Sequence, residues 1–372
     1  MLSDLGLNVA RSIPVEHLAG LMTGALSLHG GVVRDTGGRI VSHLVIPAAS
    51  SALGAVPGVG LLGSVINGLQ LHSLSTDVAA VKAATEQVLN YSIASAALSG
   101  LGLVTSVTGF AYLAHRLNRI DRKLGALEKQ TKSIKRFLQS TQHSQLLHAI
   151  DTLRLSQSAS DQETRRHLLI QCKQTFGTLA HQYRALIEES EDITERSATE
   201  DCYVLSAIGN VTTSSNLGLF KEASDEMLLH YSEWKVMARS HCGRLLLKDD
   251  PARLLDPRYV RTIPITSLVK LLDFCNNAKK GLLWIDDLRS GLGTSTFVRG
   301  ALGQTETPVI DYCQKLLAKN DALDGFAAHM SFLSEQKISL SRFAQHAEKL
   351  TEPGQEFFVL THPVVETHAF GL

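Results

Sequence analysis

The sequence lacks the signatures of the common enzyme classes. It has no G-x-x-x-x-G-K-[ST] loop to cradle phosphates, no H-E-x-x-H to hold zinc, no G-x-S-x-G elbow and no G-x-G-x-x-G after a strand. Cysteine is scarce. Cys172, Cys202, Cys242, Cys275 and Cys313 are odd in number and widely spaced, with no C-x-x-C. That pattern argues against a disulfide framework or a structural zinc site, and it predicts buried thiols in a reducing compartment. The formal net charge of +0 removes any global attraction to nucleic acid or anionic membranes. No repeat of fixed period occurs. The opening MLSDLGLNVARSIPVEHL has no basic region leading into an apolar one, so a secretory signal is not expected. The sequons at Asn90 and Asn210 are then read as accidental.

The most informative absence is charge in the first third of the chain. Residues 1–115 hold only Asp4, Arg11, Glu16, Arg34, Asp35, Arg39, Asp77, Lys82 and Glu86. Residues 40–76 and 87–115 contain no Asp, Glu, Lys or Arg at all. Two differently solvated halves follow from this asymmetry.

What is present begins with a turn signal. Two β-branched runs within residues 24–46 flank Asp35-Thr36-Gly37-Gly38, whose glycines accept positive φ, and together they predict a β-hairpin. A lone hairpin is marginal in water. EFFVLT at 356–361 is the other good strand candidate and would supply a third strand. Pro47 and Pro57 interrupt the first charge-free stretch, so a clean helix is expected from about Gly58. The two charge-free stretches, joined by a short polar bridge, predict a helical hairpin over 47–115.

Tyr91 to Ala114 reaches the roughly 20 residues that a bilayer core requires. Ser92, Ser95, Ser99, Gly102, Ser106 and Gly109 recur at 3-4 spacing and share one helical face. Small and hydroxyl-bearing residues let helices approach closely in lipid, or line a watery path, so these six are candidate pore-lining or helix-packing positions. Arg116, Arg119, Arg122, Lys123, Lys129, Lys132, Lys135 and Arg136 follow, against Asp121 and Glu128. Under the positive-inside rule both termini would be cytoplasmic. The low hydrophobicity of the segment also admits burial in a soluble helical core.

From Leu113 a heptad seam begins. Leu113, Leu117, Ile120, Leu124, Leu127, Ile134 and Leu138 keep one face, interrupted by Thr131, and predict a coiled-coil helix that joins copies of the chain. Beyond it helices dominate. A stripe of Leu168, Cys172, Phe176, Leu179, Tyr183 and Leu186 follows an N-cap candidate at Ser160. Further helices are expected over Ser267–Lys280, closed by Gly281, and over Thr307–Lys319, with Pro308 at an early position.

Candidate chemistry is thin. GLLWIDD at 281–287 has the look of a Walker-B strand ending in Asp286 and Asp287, but its phosphate loop is missing, and a buried tryptophan before a helix is favoured. SGLGTST at 290–296 is better read as a plain loop than as an anion nest. His241 and Cys242 are adjacent and do not face each other as a nucleophile pair would. The basic run at 116–136 lacks the interleaved aromatics of a base-stacking surface.

The order of these segments runs from GGVVRDTGGRIVSHL through the charge-free hairpin to LNRIDRKLGALEKQTKSIKRFL and a helical remainder. It resembles in plan the membrane-acting effectors of bacterial anti-phage defence, in which an oligomeric helical channel is controlled by a signal-reading domain. The resemblance is architectural, covers about residues 24–140, and carries over no functional residue.

The expected protein is mainly α. It has an N-terminal β-hairpin region (1–46), an apolar helical hairpin (47–115), a coiled-coil helix (116–150) and a helical regulatory or sensing domain (151–372). It would be a non-enzymatic, homo-oligomeric channel or pore-type effector at the bacterial inner membrane, with the bilayer and itself as partners and no cofactor. A regulatory nucleotide, nucleic acid or protein would act on the C-terminal domain. One alternative is a cytoplasmic coiled-coil scaffold with the apolar hairpin in its core. Another is a nucleotide-binding or hydrolytic enzyme using Asp286 and Asp287.

Overall fold

The computed structural model describes residues 8–10, 17, 20, 25–29, 32–45, 134–247, 254, 265–291, 306–343 and 358–361. It is mainly α-helical with a small antiparallel sheet. The strands are β1 (Asn8–Ala10), β2 (Leu26–His29), β3 (Val32–Asp35), β4 (Ile40–Val45) and β5 (Phe358–Thr361). The helices are α1 (Ile134–Ser158), α2 (Gln162–Glu189), α3 (Ile193–Asn216), α4 (Phe220–Leu246), α5 (Ile265–Asn276), α6 (Leu283–Gly291) and α7 (Glu306–Glu335).

The predicted hairpin is β3–β4. Gly38 takes φ 81°, which relieves the steric cost of the turn, and its N–H donates to the Asp35 carbonyl at 2.9 Å. The Asp35 carboxylate also receives the Arg39 backbone N–H and its Nε–H, both at 2.9 Å. The sheet order is β1-β5-β4-β3-β2. Its C-terminal strand therefore pairs with β4 on one side, with Leu360 opposite His43, and with β1 on the other. Two strands flank the expected three, and β1 is too short to have announced itself.

The chain divides into two compact units. Among the described residues, the first holds the sheet, α1, α2, α3, α4 as far as His230 and α7 from Ala322. In this unit α2 packs against α1 and α3. Asp161, not Ser160, caps α2, accepting the Thr164 N–H at 2.7 Å. The buried face of α2 is Leu169, Cys172, Phe176, Leu179, Ala180, Tyr183 and Ile187, so the expected stripe turns by one residue at each end. Gly209 of α3 sits against Phe176 so closely that a Cβ there would lie 2.6 Å from the ring. On α1, Leu146, Ala149, Ile150 and Leu153 are buried.

The sheet is fastened to α7 by side chains. Arg34 donates to the Asp324 carboxylate, and His29 Nδ1 lies 2.8 Å from the same group. Behind them His43 and His329, both buried, place their Nδ1 atoms 3.3 Å apart, with Phe332 and Phe343 around the rings. That contact requires one ring to donate and the other to accept.

The second unit holds α4 from Tyr231, α5, α6 and α7 up to Asp321. Trp234 is fully buried, with the Lys319 ammonium 5.7 Å from its ring centroid. α5 ends at Asn276, earlier than expected. Asn277 adopts φ 50° while the Ala278 N–H reaches the Asp273 carbonyl at 2.9 Å, a turn usually given to glycine. α7 runs well past Lys319 and closes in the same way at Lys337, φ 54°.

Candidate functional site

A groove in the first unit lies along α2, α3 and α4 and has a volume of about 1240 Å³. Helical periodicity brings Arg165, Arg166, Leu169, Ile170, Lys173, Gln174, Gly177 and His181 to one side of α2. The other wall comes from Asn210 and Asn216 of α3, from Leu217 and Leu219 beyond it, and from Glu226 of α4.

The end of α3 shapes this wall. Gly218, at φ 83°, donates to the Ser215 carbonyl at 3.1 Å, while the Leu219 N–H reaches the Ser214 carbonyl at 3.0 Å. This closure satisfies the last carbonyls of the helix and turns the chain into α4 with Leu217 and Leu219 beside the groove. The preceding run VTTSSN (211–216) is buried apart from Asn216, which is half-buried. Thr213 donates to the Gly209 carbonyl at 2.7 Å and Ser215 Oγ accepts the Leu340 N–H at 3.0 Å, while the buried Thr212 Oγ1 has no hydrogen-bond partner among the described residues.

A four-residue network crosses the groove floor. The Glu226 carboxylate receives Lys173 Nζ at 2.6 Å, Ser214 Oγ at 2.8 Å and Asn210 Nδ2 at 3.4 Å. Glu226 is thereby compensated. Arg165, Arg166 and His181 form no ion pair with a described residue. Asn216 accepts the Ser341 N–H at 3.4 Å through Oδ1, but its buried Nδ2 has no hydrogen-bond partner among the described residues. The groove thus combines surplus positive charge and apolar surface.

None of this groove was singled out by sequence. Arg165 and Arg166 read as the solvated face of a helix, and Asn216 and Glu226 lie far from them in the chain. A run of small polar residues ending a helix just before Leu-Gly-Leu was the available signal.

The structure places the sequence candidates as follows. Ser92, Ser95, Ser99, Gly102, Ser106 and Gly109 lie outside the described residues, as do Leu113, Leu117, Ile120, Leu124 and Leu127. Ile134 and Leu138 fall in the first turns of α1. Among the described residues no helix is long and apolar enough to cross a membrane.

Asp286 and Asp287 are exposed on α6, so the Walker-like segment is helix where a strand was considered. Asp287 pairs with Lys280 at 2.7 Å and Asp286 faces Arg289 at 3.8 Å. Trp284 is half-buried in the first turn of that helix, not fully buried before it, and its Nε1–H donates to Asp273 at 2.8 Å.

None of the five cysteines forms a disulfide; four are buried and Cys275 is half-buried. Cys242 lies beside Cys275 and Cys313, and hydrogen bonds with them, together with burial, hold its thiol well above its usual range. Burial alone pushes the Cys172 thiol up to about 12. Among the described residues no group of His, Cys, Asp and Glu is arranged to hold a metal ion.

Comparison with known proteins finds no matching family, no matching curated protein and no matching solved structure.

Proposed function

We propose that this chain is a self-associating, membrane-acting effector of the channel or pore type, similar in plan to those of bacterial anti-phage defence. The helical region described above controls it. The observation that carries this reading is topological. β4, just before the apolar helical hairpin expected over 47–115, and α1, beyond the basic run that follows it, belong to the same compact unit. A segment tied at both ends to one folded unit must return to the side it left, which in a bilayer means an even number of passes. The charge-free stretches up to residue 76 and over 87–115 supply two, and the basic run from Arg116 favours the cytoplasmic side for both ends. Helices of this length and composition can satisfy their backbone groups within lipid. The groove on α2, α3 and α4 then serves as the signal-reading site.

The test is retention of the full chain in membranes through a carbonate wash. Leu101→Arg should release it, at a cost of about 2.5–3.5 kcal/mol for a mid-helix charge. Monodisperse full-length protein recovered from the cytosol without detergent, with no membrane-bound pool, would favour a soluble scaffold.

A further inference from the structure

We propose that the groove along α2, α3 and α4 binds an organic phosphate, held by its phosphate on Arg165 and Arg166 and by a flat apolar group against Ile170 and Leu219. The controlling role of this ligand rests on the reading above; its binding stands on the groove alone. A volume of about 1240 Å³ is ample, since sites for small molecules run from about 300 to 1,000 Å³.

The charges decide the ligand's sign. Arg165, Arg166 and Lys173 line the groove against the single carboxylate of Glu226. That carboxylate is already occupied by Lys173, Ser214 and Asn210. The arginines are left over, and among the described residues no carboxylate pairs with either of them. Guanidinium groups present planar forks that match phosphate oxygens. Both arginines line the same groove, so either fork can meet an anion seated in it.

One further observation separates an organic phosphate from a bare anion. Ile170 and Leu219 both line the groove and are 42% and 37% exposed, an apolar surface open to a ring. A bare anion would not use it.

The experiment is calorimetric titration of the purified full chain with ATP as probe, alongside tripolyphosphate and adenosine as its two halves. ATP should bind saturably, with each half weaker by about tenfold or more, because charge and ring are both needed. The double change Arg165→Gln with Arg166→Gln should weaken ATP by about tenfold or more while leaving the circular dichroism and melting of the chain unchanged. No saturable ATP binding at millimolar concentration, or equal affinity in the double variant, overturns the assignment. Binding that meets these expectations but leaves liposome conductance unchanged upholds the site and counts against the effector reading instead.

Discussion

Arg34 on β3 pairs with Asp324 on α7 across 290 positions of sequence. The same carboxylate meets His29 of β2, so one acidic group ties two neighbouring strands to the longest helix described. The contact makes strands near the start of the chain and a helix near its end parts of one unit.

Asp324 should therefore matter more at neutral pH than in acid. Burial pushes its carboxyl up, but the His29 contact and the Arg34 charge outweigh that, and it sits below the ordinary value of 3.8. A carboxyl lowered in the folded state contributes stability that is full above its unfolded value and is lost as pH falls through the folded one. Asp324→Asn should cost about 1–3 kcal/mol near neutral pH, by leaving the Arg34 charge without its counter-ion. The difference from the native chain should shrink below the ordinary carboxylate value. Urea unfolding at neutral and acid pH measures it, and a pH-independent difference would contradict the assignment.

Gly209 and Gly177 should respond oppositely to alanine. A Cβ at Gly209 would lie 2.6–2.8 Å from the Phe176 ring, which is fully buried and has no free end to swing away. Overpacking of this kind costs about 1–3 kcal/mol and exceeds the gain of up to about 1 kcal/mol from better helix propensity. At Gly177 the nearest atom is Asn210 Oδ1 at 3.7 Å, an ordinary contact, so alanine there should be neutral or stabilising. Equal effects at the two sites in thermal melts would show that the α2–α3 crossing is looser than described.

The thiols should be inert in the folded chain. Cys172 and Cys242 are buried and their thiols are raised by burial, and for Cys242 also by its cysteine neighbours, so little reactive thiolate forms at neutral pH. A maleimide reagent should label Cys275 first and the buried four only after denaturation. Rapid labelling of Cys172 in the native state would be inconsistent with this packing.

Much of the fold was legible because its signals are local. The Asp35–Gly38 turn and the stripe on α2 follow from positive φ at glycine and a 3.6-residue period. The closures at Asn277 and Lys337 were not legible, since left-handed backbone at these residues depends on the surrounding turn. On α1 the buried apolar stripe begins at Leu146, and the seam expected up to Leu138 has its side chains outside the described residues. Sequence spacing alone cannot separate a seam between copies from a stripe buried within one chain. The groove escaped notice because its cations resemble any solvated helix face until α3 and α4 are placed beside them.

The seam carries the oligomer claim. Ile120→Asp with Leu124→Asp puts two charges into the proposed coiled-coil face and should dissociate the assembly, as seen by crosslinking and mass measurement. An unchanged assembly would remove the seam as the contact between copies.

The central claim is tested most directly by conductance through liposomes containing the purified full chain, with single cysteines at Ser95, Ser99 and Ser106. The account predicts conductance that an impermeant thiol reagent alters at these three positions and leaves unaltered at cysteines replacing Ile93, Leu101 and Val104. Absence of conductance, with equal protection at all six positions, would contradict it.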